Sequence, residues 1–156
     1  MAVNLFKRAG RQTVLCAEVL IGFADLLSPT DLNGVATPVI DMPEGAIVTD
    51  LQIIVETVFN SGTSDVIDIG DNDVADRYLD GSDIQTAAVR FHEDIDAAAE
   101  TVKQYVAGDT INMTWVAVGA DPTTGSVRLL VNYIIADRAN ETQSLKVTNF
   151  GAARQP

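Results

Sequence analysis

The sequence from Thr110 to Ala136 is TINMTWVAVGADPTTGSVRLLVNYIIA. Apolar residues occupy every second position on both sides of its centre: Ile111, Met113, Trp115 and Ala117 before it, and Val127, Leu129, Val131, Tyr133 and Ile135 after it. Alternation with a period of two indicates half-buried β-strands, because successive side chains of a strand point to opposite faces. Residues 119–125 between them are rich in Gly, Pro and polar residues, so the segment predicts a β-hairpin.

A third strand is predicted over Ala46–Val58. One face is expected to carry Ile47, Leu51, Ile53 and Val55, and turn residues precede and follow the segment at 41–45 and 60–64. Shorter strands are expected within residues 12–25, 65–70 and 100–107. Residues 35–42 contain Pro38, which cannot donate to a ladder, so this segment should be an edge strand or an extended connection.

Many short strands separated by turn clusters predict an all-β protein, either a β-sandwich or a closed antiparallel barrel. An antiparallel sandwich of jelly-roll type fits the count of about eight strands. Short helical turns are expected near residues 82–99, where Ser82 and Asp83 can cap a helix and several alanines follow. We expect one domain over residues 12–136, an N-terminal arm over residues 1–11 and an extended C-terminal segment over residues 137–156.

The composition excludes several classes of function. Of the 156 residues, 47% are apolar, which is enough for a globular core, but the longest apolar runs are too broken to span a bilayer. The net charge of −12 disfavours direct binding to nucleic acid or to anionic membranes. Residues 1–11 lack the apolar region of a signal peptide. The single cysteine, Cys16, lies in an apolar stretch and is expected to be buried.

The residues offer little reactive chemistry. His92 is the one histidine and stands among charged neighbours, so we expect a surface residue rather than a catalytic base, and a closed zinc site is not credible. Seven aspartates crowd residues 65–83: Asp65, Asp68, Asp71, Asp73, Asp76, Asp80 and Asp83. They lack the spacing of an EF-hand. A solvated acidic loop is the favoured interpretation, with a bound divalent cation as the alternative; no enzyme activity and no cofactor are expected.

The order of segments resembles a known family. The residues Val35-Ala-Thr-Pro-Val-Ile-Asp-Met-Pro-Glu-Gly-Ala-Ile-Val-Thr-Asp50, the turn Phe59-Asn-Ser-Gly-Thr-Ser-Asp65 and the step Ile69-Gly-Asp71 are similar to small virion proteins of tailed bacteriophages. Within that group the chain resembles the jelly-roll cement, or decoration, proteins. The resemblance implies a structural protein that is made in the bacterial host cytoplasm, binds the exterior of the capsid and bridges neighbouring major capsid subunits.

The resemblance also implies partners. These are the major capsid protein and further copies of the chain itself, as a homodimer or a homotrimer, with no direct contact to nucleic acid or membrane. The candidate contact residues lie in the two arms: Lys7, Arg8, Arg11, Phe150 and Arg154. A head-fibre, tail or baseplate component that binds a receptor or glycan is the alternative function.

Overall fold

The computed structural model describes residues 12–27, 31–91, 103–136 and 138. Within these residues the chain forms nine strands and one short helix. In chain order they are β1 (Leu15–Gly22), α1 (Phe23–Leu27), β2 (Ala36–Met42), β3 (Ala46–Thr57), β4 (Ser64–Gly70), β5 (Leu79–Asp83), β6 (Val89–Phe91), β7 (Gln104–Tyr105), β8 (Asp109–Val118) and β9 (Ser126–Ile135).

The strands form two antiparallel sheets. The first sheet has the order β1-β9-β3-β6, with β7 also paired to β3, and the second has the order β2-β8-β4-β5. The strands also pair as one long antiparallel ribbon that turns back between β4 and β5. Its successive pairs are β4·β5, β3·β6, β2·β8 and β1·β9, and they alternate between the two sheets. This is the jelly-roll arrangement, so the predicted fold class is confirmed.

The predicted hairpin over residues 110–136 is wrong, although both of its strands exist. β8 lies in the centre of the second sheet and β9 in the centre of the first, so the loop between them crosses from one sheet to the other. The alternation predicted the buried rows correctly, since Ile111, Met113 and Trp115 on β8 and Val127 and Leu129 on β9 are buried. Alternation shows which side chains face the core, but it does not show which strand is the neighbour.

The inward face of β3 differs from the prediction at one end. Leu51, Ile53 and Val55 are buried as expected, but Val48 is buried in place of Ile47. The register with β9 shifts between Val48 and Asp50, which is the mark of a β-bulge. One extra residue reverses the in-and-out alternation on one side of the bulge, so a strict period of two assigns the wrong face there.

The proline-containing strand β2 is at the edge of the second sheet, as predicted. Its register with β8 shifts between Pro38 and Ile40. Pro38 therefore lies beside a bulge on an edge strand, a position where the missing N–H removes no ladder hydrogen bond.

The helical turns predicted near residues 82–99 do not form in the described part of that range. Residues 82–91 contain the end of β5, a loop and β6, while residues 92–99 lie outside the described residues. The backbone of residues 89–91 pairs with β3, and this tertiary pairing overrides the helix propensity of the alanines. The described helix is α1, which buries Leu26 against the core and whose Asp25 carboxylate accepts a 2.8 Å hydrogen bond from the Gly22 N–H.

Cys16 is exposed, which corrects the expectation that it is buried. On β1 the side chains of Ala17, Val19 and Ile21 pack on the core, so the alternate residue Cys16 points to the outside of the sheet. The sequence does not show which residues of this apolar stretch face the core, because a half-buried edge strand can carry apolar residues on both faces.

The core lies between the two sheets. Its largest fully buried side chains include Trp115, Tyr78, Tyr105, Phe59 and Leu51. All nine strands belong to one compact unit, Val14–Asp137. No helix among the described residues is long and apolar enough to cross a membrane.

Gly70 should be irreplaceable at the end of β4. A Cβ atom there would lie 2.1 Å from the Val74 carbonyl oxygen, because the following loop folds back onto β4. We expect Gly70→Ala to lower the free energy of unfolding by about 3 kcal/mol or more, measured by urea denaturation. Gly22→Ala is the matched control, since its Cβ would meet no atom closer than 3.5 Å. Equal losses for the two variants would contradict this packing.

Candidate functional site

A charged cluster lies where the chain leaves β4. The Asp71 carboxylate is buried, and its Oδ1 accepts hydrogen bonds of 2.9 Å from the backbone N–H groups of Asp73 and Val74. Aspartate commonly forms such bonds to the backbone that follows it, which produces a tight turn. Oδ2 accepts a 2.6 Å hydrogen bond from Nε of Arg77, another buried residue. The turn is therefore organised around one carboxylate.

Lys103 joins this turn to the start of β8. Its ammonium lies 3.1 Å from Asp71 Oδ2, 2.7 Å from Asp73 Oδ2 and 3.2 Å from Asp109 Oδ2. Three carboxylates from two parts of the chain thus converge on one cation. Each of these hydrogen bonds involves an ionised donor and acceptor, which makes it stronger than a neutral one.

Two buried tyrosines complete the cluster. The Tyr105 hydroxyl donates to Asp71 Oδ2 at 3.3 Å and lies 2.7 Å from the Tyr78 hydroxyl. The Lys103 ammonium is also 4.9 Å from the centre of the Tyr105 ring, within the range of a cation–π contact. The cluster therefore fixes both tyrosine rings in the core while satisfying their hydroxyl groups.

The surroundings of Asp71, Lys103, Tyr78 and Tyr105 shift the pKa values of these four groups. Burial alone would raise the pKa of Asp71, but the hydrogen bonds from Val74, Arg77, Asp73 and Lys103 bring it below its ordinary value. Burial would lower the pKa of Lys103, and its three carboxylate partners raise it instead. Burial raises the pKa of both Tyr78 and Tyr105. The pKa of Asp71 thus moves further below neutral pH, and those of Lys103, Tyr78 and Tyr105 move further above it.

The same geometry bears on the alternative interpretation of the acidic segment, a bound divalent cation. Carboxylate oxygens of Asp71, Asp73 and Asp109 lie within 4.8 Å of one another, a spacing that could hold a metal ion. The Lys103 ammonium contacts all three, and Arg77 also contacts Asp71. These two positive charges offset two of the three negative charges, and the Lys103 ammonium already contacts every carboxylate, so the arrangement fits an ammonium group better than an added ion.

Asp65 is a second buried carboxylate, so the prediction that the acidic segment is a solvated loop is wrong at this residue as well as at Asp71. Asp65 is fully buried and accepts four hydrogen bonds: 2.9 Å from the Ser61 N–H, 2.6 Å from the Ser61 hydroxyl, 3.0 Å from the Gln85 amide and 3.1 Å from the Trp115 indole. It ties the loop after β3 to β8 and to the loop after β5. Asp65 and Asp71 are therefore structural, while the other five aspartates of the segment are exposed or half-buried.

The outer face of the first sheet carries an ion network of its own. The Arg128 guanidinium on β9 contacts Glu18 on β1, and its Nε lies 2.5 Å from Glu56 on β3. These side chains are partly exposed, so the network contributes little to stability. Arg128 offsets part of the charge of Glu18 and Glu56, and the remaining outward residues of β1, Cys16 and Leu20, are uncharged.

The predicted contact residues cannot be placed. Lys7, Arg8, Arg11, Phe150 and Arg154 lie outside the described residues, as does His92. Sequence reasoning missed Arg77 and Lys103 as cluster members. Their signal was weak: each is a cation placed one or two residues before a tyrosine that proves to be buried.

No protein family and no curated protein matches this chain. Solved structures do. A chain in the capsid of Ralstonia phage GP4 is 15% identical with a TM-score of 0.58, and the match covers 88% of this chain and 93% of that one. Three phage capsid structures contain this fold.

The second match is a chain in the capsid asymmetric unit of cyanophage Pam1, 20% identical with a TM-score of 0.54, covering 86% of this chain and 92% of that one. The third is a chain in the acidic stable capsid structure of Helicobacter pylori bacteriophage KHP30, 12% identical with a TM-score of 0.55, covering 78% of this chain and 87% of that one. At these identities the likeness is one of fold, and it spans most of both chains in each case.

Replacing Asp71 tests the charged cluster. Asp71→Asn should lower the free energy of unfolding at neutral pH by about 3 kcal/mol, because Lys103 and Arg77 lose their buried partner. The folded-state pKa of Asp71 lies below its ordinary value. Its ionised form therefore stabilises the fold fully at higher pH and progressively less as the pH falls below about 4. Urea denaturation from about pH 7 to about pH 3 should show the gap between variant and wild type narrowing in acid.

Asp76→Asn is the matched control, since Asp76 is exposed in the same loop. We expect it to change the free energy of unfolding by less than about 0.5 kcal/mol. A gap for Asp71→Asn that stays constant with pH, or an equal loss in both variants, would show that the carboxylate charge does not stabilise the cluster.

Proposed function

We propose that this chain is a structural virion protein of a tailed bacteriophage that acts as a capsid cement, or decoration, protein. It binds the exterior of the capsid and bridges neighbouring major capsid subunits. The observation that carries the proposal is the match to chains in three phage capsid structures, over 78–88% of this chain. The protein is made in the cytoplasm of the bacterial host and functions on the assembled particle.

The chemistry of the described residues supports a structural role. Asp71 and Lys103, at the centre of the charged cluster, have pKa values shifted away from neutral pH, and their ion pair holds the turn after β4 in place. Sites that perform acid–base catalysis instead keep a group poised to gain or lose a proton. Here the buried charges stabilise the sandwich and leave its outer surfaces to make contacts.

A cement function suits a small rigid sandwich. A protein that contacts two neighbouring subunits adds buried area at the seam between them, which raises the free energy needed to separate them. Many copies on one shell multiply a modest affinity, and an oligomer gains avidity because its second contact is effectively intramolecular. The major capsid protein and further copies of this chain are the partners; the net charge of −12 disfavours direct contact with nucleic acid.

The terminal arms are the segments proposed to contact the capsid. The N-terminal arm, residues 1–11, carries Lys7, Arg8 and Arg11 in an otherwise acidic protein, and the C-terminal segment, residues 137–156, carries Phe150 and Arg154. A basic arm can bind an acidic surface that would repel the rest of the chain. Extended segments can also add a strand to a neighbour's sheet through backbone hydrogen bonds.

Purified protein mixed with expanded shells of the phage's own major capsid protein tests the proposal. Electron cryomicroscopy should show the protein over the whole outer surface at the seams between subunits, and coated shells should dissociate at a higher temperature than bare ones. Binding confined to one vertex, or to tails, would overturn the cement function in favour of a head-fibre, tail or baseplate component.

The basic arm can be tested with a triple variant. Replacing Lys7, Arg8 and Arg11 by Gln should weaken binding to shells by about tenfold, because three peripheral ion pairs together contribute about 1.4 kcal/mol. Arg128→Gln is the control, since Arg128 is partly exposed and lies in neither arm. Affinities from co-sedimentation that fall equally for both proteins would contradict a specific role for the N-terminal arm.

A further inference from the structure

The four edges of the two sheets differ in how they are protected. The edge strand β2 carries Pro38 and a bulge. β5 has five residues, two of them exposed aspartates, and an irregular register. Within the described residues, β6 and β7 have three and two residues. Short length, charge, proline and bulges are the features that keep sheet edges from pairing with other chains.

The edge strand β1 lacks the proline, the bulge and the short length of the other edges. It has eight residues, pairs with β9 in one unbroken register and contains no proline. Its single charged residue is Glu18, which contacts Arg128, a cation shared with Glu56. Among the described residues β1 pairs with β9 alone, and we call its other side, which no described strand occupies, the open edge.

The hydrogen bonding of β1 identifies the groups on this open edge. The N–H of Phe23 bonds to the Gly125 carbonyl at 3.0 Å, in continuation of the β1·β9 register. Alternate residues of an antiparallel strand bond to opposite sides, so the odd-numbered residues of β1 bond to β9. The even-numbered residues Cys16, Glu18 and Leu20 therefore direct their N–H and C=O groups outward.

The side chains beside the open edge are incompletely covered. Ala17 and Val19 point toward the core but are only partly buried. Leu20, on the outer face, is 49% exposed. A strand added alongside β1 would cover all three and satisfy the outward backbone groups.

We propose that this strand is β1 of a second copy, paired antiparallel about a two-fold axis that passes between the two Val19 residues. In the paired sheet, residues that face the core must lie opposite residues that also face the core. This requires the numbers of opposite residues to differ by an even number, so the two-fold axis must pass through a residue position and not between two positions. Centring on Glu18 would place two glutamates opposite each other, which is unfavourable. Centring on Val19 places Glu18 opposite Leu20 and Ala17 opposite Ile21. The two copies then share one continuous sheet.

This pairing is self-complementary, and it closes after two copies. Of the homodimer and homotrimer expected from the sequence, it specifies the homodimer. The inference needs no capsid and does not rest on the proposed function. A chain that dimerises through β1 but does not bind shells would support the dimer and overturn the cement function. A chain that binds shells as a monomer would do the reverse.

Light scattering after gel filtration of the full chain provides the first test. The wild type should have twice the mass of one chain across a dilution series. Leu20→Pro should convert it to a monomer, because proline removes an outward N–H that β9 does not use. Leu20→Ala keeps that N–H and should remain a dimer. A monomeric wild type, or a Leu20→Pro variant that folds and still dimerises, would overturn the proposal.

Disulfide trapping provides a second test that does not depend on how Leu20→Pro folds. In a Cys16→Ser background, Val19→Cys places two cysteines directly opposite each other with Cα atoms about 4.5 Å apart, which a disulfide can bridge. Leu20→Cys, although more exposed, places them roughly 8 Å apart, beyond that range. Mild oxidation should therefore crosslink the first variant and not the second. Equal or faster crosslinking of Leu20→Cys would overturn the register.

Discussion

Two loops that cross between the sheets contact each other closely, and the placement of the strands that follow them depends on this contact. The loop after β3 and the loop after β8 run side by side: the Asn60 side chain accepts hydrogen bonds from the Thr123 and Thr124 N–H groups at 2.7 and 3.0 Å. Gly119, with φ of 102°, allows its backbone to pack on Gly62, where a Cβ would approach to 2.9 Å. These loops deliver β4 and β9 to opposite sheets in the register that the core requires.

Two buried carboxylates hold the segments around these crossings, and they do so by different means. Asp65 accepts four described hydrogen bonds, and all four donors are neutral groups. One of them is the indole N–H of Trp115, which lies in the core. Asp71 is paired with cations, Arg77 and Lys103. A buried carboxylate is costly unless its hydrogen bonds are satisfied, so both sites favour one loop conformation over the alternatives.

This division of labour relates the fold to the proposed role. The buried charged groups fix loops and rings inside the sandwich, while the surface of the first sheet carries an ion network around Arg128 and the open edge of β1. Rigid elements can hold contacts in a defined geometry, which a protein that connects other subunits requires.

The sequence by itself determined the class of fold and most of the buried rows, because alternation records which side chains avoid water: Ile111, Met113 and Trp115 were assigned to the core correctly. It also limited the Pro38 segment to an edge strand or an extended connection. Only the tertiary structure decided that β8 and β9 lie in different sheets, that a bulge reverses the face of Ile47, and that Asp65 and Asp71 are buried. Those features depend on contacts between residues far apart in the chain, and local periodicity carries no record of which distant partner a residue meets.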